Sequence, residues 1–142
     1  MIFMLVFIFI DQITKALIVN FKPSFLVIPD LLSITYTKNT GAIFGIFQDS
    51  NLFMIVISSF ICLCLILFLI RNWKMKSFIK NCLFMILAGG VGNLIDRIFR
   101  GFVVDFIDTP FIATFNLADS FIVVGVVLLL IKIIFERNKE IE

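Results

Sequence analysis

Two aspartates in the second half of the chain lie where carboxyl chemistry is plausible. Asp105 interrupts the apolar segment 102–107 and has no Lys or Arg within four positions, so no structural reason for it is evident. Asp119 follows Asn116, which suits a helix N-cap, and would occupy the first turn, where the helix dipole favours negative charge. Capping alone could explain Asp119. If the two carboxyl groups share a partly dry site, they cannot both ionise easily, and one keeps a proton.

Two carboxyl groups that share one proton can hydrolyse a peptide bond. The ionised group activates water and the protonated group polarises the carbonyl, as in aspartic proteases. The helix N-terminus favours ionised Asp119, and the apolar flanks favour protonated Asp105. Because the chain contains no histidine, a Ser-His-Asp triad is excluded and a zinc site is disfavoured. We expect neither a metal nor a cofactor.

Asp11 and Lys15 are ionisable residues within a long apolar run, where a charge costs at least ~2.5–3.5 kcal/mol. Their spacing of four puts both on one helix face, in the favourable order of acid before base. The pair could neutralise itself and pin the helix to its neighbours, or it could contact a substrate. Two other functions remain open: a Ser-Lys peptidase using Ser120 with Lys15, and a small four-span proton-coupled transporter using Asp11.

The segment 88–97 combines small and polar residues on one predicted helix. Ala88 and Gly92 form a face of small residues that lets another helix approach closely. Asn93 and Asp96 lie on a second stripe, with Arg97 alongside. Packing and charge pairing would explain these residues as well as a direct role in chemistry would.

Four apolar segments are long enough to place these residues in a membrane, at 2–20, 51–70, 78–98 and 117–135. With 61% hydrophobic and only 15% charged residues, the sequence predicts an all-α integral membrane protein with one domain over residues 1–142. No Lys or Arg precedes the first run, so we predict a retained span there. The three cysteines lie in apolar stretches and imply no disulfides.

The distribution of charge predicts how the spans are oriented. Residues 71–80 carry four cations and no acid, which marks this connection and both termini as cytoplasmic. The connections 21–50 and 99–116 then face outward. Polar and apolar residues alternate over 31–37, which predicts a small extracytoplasmic β-sheet between helices one and two, and two glycines follow within 41–47. The outer surface should also gather six polar residues: Asn39, Asn93, Asp96, Arg97, Asp105 and Asp119.

Five segments carry a resemblance to a known family: 11–15 (DQITK), 39–45 (NTGAIFG), 89–97 (GGVGNLIDR), 103–106 (VVDF) and 115–119 (FNLAD). In this order they resemble lipoprotein signal peptidase, the bacterial signal peptidase II family, along essentially the whole chain. The resemblance implies that Asp105 and Asp119 are the catalytic pair. It also implies a set of residues that line or support the site: Asp11, Lys15, Asn39, Gly41, Asn93, Asp96, Arg97 and Asn116.

The same resemblance implies a substrate and a location. The substrate would be a prolipoprotein whose lipobox cysteine carries diacylglycerol, with cleavage immediately before that cysteine. Membrane lipid and the inhibitor globomycin are expected partners, and nucleic acid is not. The protein would lie in the bacterial cytoplasmic membrane, with cytoplasmic termini and an active site at the outer face.

Overall fold

Four helices dominate the computed structural model, which describes residues 2–41 and 50–139. They are α1 (Ile2–Phe21), α2 (Asn51–Arg71), α3 (Ser77–Phe99) and α4 (Leu117–Lys139). Each contains a stretch long and apolar enough to cross a bilayer, which confirms the four predicted spans. Of the predicted glycine-containing segment 41–47, only Gly41 lies within the described residues.

Helix α3 is central and packs against all three other helices, most extensively against α4. Small residues permit this: a Cβ atom at Gly89 would overlap the carbonyl oxygen of Ala118 in α4. One at Gly92 would lie 2.7 Å from the carboxylate of Asp11 in α1. Gly92 belongs to the predicted small face, and its Cβ atom would also lie 3.3 Å from that of Ala118. Helix α3 therefore contacts α1 and α4 closely near its C-terminal end, and the residues around this contact are brought to one place.

The described residues also form one antiparallel sheet, ordered β1-β2-β3-β4, with β1 at Ser24–Ile28, β2 at Leu32–Asn39, β3 at Val103–Thr109 and β4 at Ile112–Phe115. The predicted sheet is confirmed, but the α3–α4 connection contributes half of it. The sequence did not indicate β3 as a strand because its residues 103–106 are all buried. A strand buried on both faces lacks the alternation of polar and apolar residues.

The sheet lies beside the last turns of α1. Ile18 of α1 packs with Val104 and Phe106 of β3 in a buried cluster. Helix α1 continues ten residues beyond Asp11, or about 15 Å at 1.5 Å per residue. The polar residues of α1 are therefore recessed within the bundle, below the sheet. All three cysteines are free, as predicted.

Candidate active site

Asp105 lies on β3, and its side chain is only 2% exposed. It accepts hydrogen bonds from the side-chain amides of Asn116, at 2.7 Å, and Asn39, at 2.9 Å. Burial raises the pKa of Asp105 from 3.8 to about 6, and the negative charge of Asp119 acts in the same direction. The two amides and the charge of Lys15 oppose this rise in pKa only in part. Asp105 therefore holds its proton about two pH units higher than an ordinary aspartate does.

Asp119 lies in the first turn of α4 and is half-buried. Its backbone N–H donates to the side-chain oxygen of Asn116 at 3.0 Å, and the Asn116 N–H donates back to its carboxylate at 3.2 Å. This reciprocal pair is a capping box, so the predicted capping role is confirmed. The second carboxylate oxygen accepts from the amide of Asn93 at 2.7 Å. Asn116 therefore contacts both aspartates, since its side-chain amide donates to Asp105 and its backbone N–H donates to Asp119.

The three amides around the two carboxyl groups have fixed orientations. The oxygen of Asn39 accepts the backbone N–H of Gly41 at 3.1 Å, so its NH2 group must face Asp105. The oxygen of Asn93 accepts from Lys15 at 2.9 Å, so its NH2 group must face Asp119. The sheet brings Asn39 into place, since it is paired with Val103, two residues before Asp105. The carboxyl groups therefore lie among N–H donors that are already oriented.

Lys15 is fully buried and links α1 to α3. It forms the predicted ion pair with Asp11 at 2.9 Å and a second one with Asp96 at 3.2 Å. Asp11 also accepts the backbone N–H of Ala118, at 3.0 Å. With the bond from Lys15 to Asn93, these contacts join α1 to α3 and to the beginning of α4.

Asp96 ties the end of α3 to the sheet through the backbone N–H of Val104, at 3.1 Å. Asp96 forms an ion pair with Arg100, one turn further on, which was not predicted. Asp96 and Arg100 are four residues apart, and this spacing could have predicted their ion pair. Arg97 is half-buried and interacts electrostatically with Asp119, Asp105 and Asp96.

Sequence reasoning also missed Gln12. Its amide donates to the Asp11 carboxylate at 3.1 Å and to the backbone oxygen of Gly92 at 3.1 Å. Its side-chain oxygen accepts from Arg100 at 3.2 Å. A glutamine beside a charged residue carries no signal of its own, so only the packing of α1 on α3 identifies it.

The charges of this cluster nearly balance. Four carboxyl groups and three cations belong to it in the described part of the chain: Asp11, Asp96, Asp105 and Asp119 with Lys15, Arg97 and Arg100. One proton shared by Asp105 and Asp119 would make the cluster neutral. An unbalanced charge is costly in a buried site, so this count favours a singly protonated pair.

Neither rival function gains support from the geometry. The hydroxyl of Ser120 donates to the backbone oxygen of Asn116 at 3.0 Å. The three N–H donors of Lys15 are directed at Asp11, Asp96 and Asn93. The Asp11 carboxylate is 1% exposed and links α1 to the start of α4.

Four membrane-spanning helices, with Asp105 buried on a small sheet and Asp119 half-buried at the start of α4, define a multi-pass membrane protein whose candidate site is a pair of carboxyl groups. The family model described as signal peptidase (SPase) II matches residues 3–135. The chain belongs to the signal peptidase II family, and it is therefore a peptidase.

Curated relatives and solved structures agree with this. The lipoprotein signal peptidase of Caldanaerobacter subterraneus subsp. tengcongensis is 44% identical over 91% of each chain. That of Streptococcus pneumoniae is 41% identical over 90% of this chain and 87% of its own. Two bacterial membrane enzymes, solved by the in meso method, superpose with TM-scores of 0.86 and 0.82 at 34% and 36% identity. They match 96% and 92% of this chain, and 87% and 88% of their own.

Proposed function

We propose that the whole chain acts as one membrane peptidase domain of the aspartic type, with Asp105 and Asp119 as its catalytic pair. Membership of the signal peptidase II family supports removal of signal peptides from prolipoproteins. The observation that carries the aspartic mechanism is the position of Asn116, which donates to both carboxyl groups from the N-cap of α4.

The environments of the two aspartates suggest different roles. Asp119 is half-buried at the N-terminus of α4, a position that suits it as the base that takes a proton from water. Asp105 is almost fully buried with a pKa raised to about 6, which favours it as the acid that hydrogen-bonds to the substrate carbonyl. Water attacks that carbonyl, and a tetrahedral intermediate forms. The proton then passes from the pair to the leaving amine, so no covalent intermediate is needed.

The remaining predicted site residues would hold this pair in position. Asn39, Asn93 and Asn116 donate to the carboxyl groups, and Gly41 orients the amide of Asn39. Lys15 holds Asn93, Asp11 holds the start of α4, and Asp96 holds β3. Arg97 contributes a nearby positive charge. The groups around the carboxylates are N–H donors, whereas a hard metal ion would need oxygen ligands. We propose a reaction without metal or cofactor.

The position of the site suits a lipid-anchored substrate. Residues 71–80, which carry four cations, lie at the other end of α2 and α3. Under the positive-inside rule, this supports a site at the outer face of the bacterial cytoplasmic membrane, with both termini inside. Each buried CH2 group contributes ~0.8 kcal/mol to membrane anchoring, so a diacylglyceryl cysteine would keep the scissile bond near this site. We propose cleavage immediately before that cysteine, with globomycin as a competitor.

The test is cleavage of a prolipoprotein peptide by the purified protein in lipid vesicles, followed by mass spectrometry. We expect a product that begins with the diacylglyceryl cysteine, no product from the same peptide without lipid, and inhibition by globomycin. Cleavage at another bond, or equal cleavage with and without lipid, would overturn the proposed specificity. An inactive wild-type protein, shown to be folded, would overturn the proposed activity.

A further inference from the structure

The α2–α3 connection has a defined structure at the end of the bundle remote from the carboxyl pair. Helix α2 begins near the site, where Asn51 donates to the backbone oxygen of Arg97 at 3.0 Å, and it ends at Arg71. The side chain and the backbone N–H of Asn72 both donate to Phe68, at 2.9 and 3.0 Å. The turn is therefore hydrogen-bonded to the helix that precedes it.

Two of the four cations in this region have structural partners. Lys80 donates to the backbone oxygen of Trp73 at 2.7 Å, and its ammonium lies 4.5 Å from the centre of the Trp73 ring. Lys76 forms an ion pair of 2.5 Å with Glu136 of α4. The contacts of Lys80 hold Trp73 in place, and the ion pair of Lys76 holds the α2–α3 connection against α4.

The other two cations, Arg71 and Lys74, are exposed, and their side chains have no hydrogen bond or ion pair with any residue that the structure describes. They line a shallow hollow of about 470 Å³, together with four neighbours: Ile70, Asn72, Trp73 and Met75. The hollow thus has two positive charges and an aromatic wall. It lacks a negative group of its own.

The flanking residues set the depth of this hollow in the membrane. Ile70 before it and Phe78 after it are 65% and 47% exposed, as residues in contact with lipid would be. Trp73 is 54% exposed, and tryptophan is enriched where hydrocarbon meets the headgroups. Lipid phosphates lie at this level, so a phosphate could reach Arg71 and Lys74 while its acyl chains lie along α2.

We propose that this hollow binds the headgroup of an anionic phospholipid, with its phosphate between Arg71 and Lys74. A free phosphate ion would offer the same charge, but the exposed apolar surface beside the hollow favours a ligand that carries acyl chains. Each cation near an anionic surface contributes about fivefold to binding, so two should give a preference of up to about thirtyfold over a zwitterionic lipid. The site is separate from the carboxyl pair and does not depend on the proposed chemistry.

Trp73 allows a direct test because it is the only tryptophan in the chain. The full-length protein is placed in phosphatidylcholine vesicles containing a small fraction of lipid with brominated acyl chains, which quench tryptophan fluorescence on contact. We expect brominated phosphatidylglycerol to quench at several-fold lower fractions than brominated phosphatidylcholine does. The variant Arg71→Gln/Lys74→Gln should lose this preference.

A charge-matched variant, Lys22→Gln/Lys38→Gln, alters two cations at the other end of the molecule and should keep the preference. Unchanged quenching by brominated phosphatidylcholine would show that Trp73 remains at the same depth in both variants. Equal quenching by the two lipids in wild type, or an undiminished preference in Arg71→Gln/Lys74→Gln, would overturn the proposal. Loss of the preference in sodium phosphate, but not in sodium chloride of equal ionic strength, would assign the hollow to free phosphate instead.

Discussion

Asn116 donates a hydrogen bond of 2.7 Å from its side-chain amide to the carboxyl group of Asp105. Its backbone N–H donates to Asp119 at 3.2 Å, so this residue touches both members of the carboxyl pair. Asn116 is also the N-cap of α4. The first turn of that helix therefore fixes the position of one carboxyl group relative to the other.

Asn116→Ser tests this link because serine also caps helices but has no amide to donate to Asp105. The hydrogen bond from the Asn116 amide lowers the pKa of Asp105, so losing this bond should raise that pKa further. We expect turnover to fall on the order of tenfold to a hundredfold, and the alkaline limb of the pH–rate profile to move to higher pH. An unchanged profile with wild-type turnover would show that the link has no role in the reaction.

The raised pKa of Asp105 predicts a pH dependence of stability. Its folded value of about 6 lies above the ordinary 3.8, so its contribution to stability is full below pH 3.8 and is lost as pH rises through 6. Asp105→Asn removes this dependence. Between about pH 4.5 and about pH 8, wild type should lose about 2 kcal/mol more stability than the variant does. Thermal melts of both proteins in detergent measure this, and parallel curves would contradict it.

Local patterns in the sequence made the helices and several contacts around the candidate site predictable. The apolar runs predicted the spans, and the spacing of Asp11 and Lys15 predicted their ion pair. The position of Asn116 predicted the N-cap of α4. Each of these signals is local in sequence. Strand β2 was also predictable, because it is only partly buried and the sequence over 31–37 alternates polar and apolar residues.

The parts that were not predicted depend on packing between distant segments. Strand β3 is buried among α1 and its neighbouring strand, which leaves no alternation to recognise. The contacts of Gln12 follow from how α1 lies on α3. The ion pair of Asp96 with Arg100 is different, because it lies within the end of α3 and its spacing of four residues could have been recognised. The assignment of Asp105 and Asp119 as the catalytic pair stays a prediction.

Gly89→Ala tests the close contact of α3 with α4. A Cβ atom there would overlap the backbone oxygen of Ala118, which cannot move without shifting the start of α4. Gly90→Ala is the matched control, because its Cβ atom would lie 3.1 Å from the Sγ atom of Cys62 and needs only a small adjustment. We expect Gly89→Ala to cost about 1–3 kcal/mol more stability than Gly90→Ala and to reduce cleavage. Equal melting temperatures and rates would contradict this packing.

Lys15→Met tests whether Lys15 neutralises the buried acids around it. The change leaves the carboxylate of Asp11 without a cationic partner and should destabilise the protein by roughly 3–5 kcal/mol. Lys22→Met, at an exposed lysine, is the control and should have little effect. Adding Asp11→Asn to Lys15→Met should restore part of the loss. If Lys15→Met melted like wild type, the buried network would not hold the helices together as we describe.

The most direct test of the proposed mechanism compares cleavage of a diacylglyceryl prolipoprotein peptide by wild type, Asp105→Asn and Asp119→Asn. Asp108→Asn is the matched control, since Asp108 is on the same strand but hydrogen-bonds to Ser33 and Thr114, away from the carboxyl pair. We predict that each of the first two variants, folded as judged by melting, loses at least about a hundredfold in rate. Asp108→Asn should stay within a few-fold of wild type. A folded Asp105→Asn or Asp119→Asn protein that cleaves as fast as wild type would contradict the aspartic mechanism.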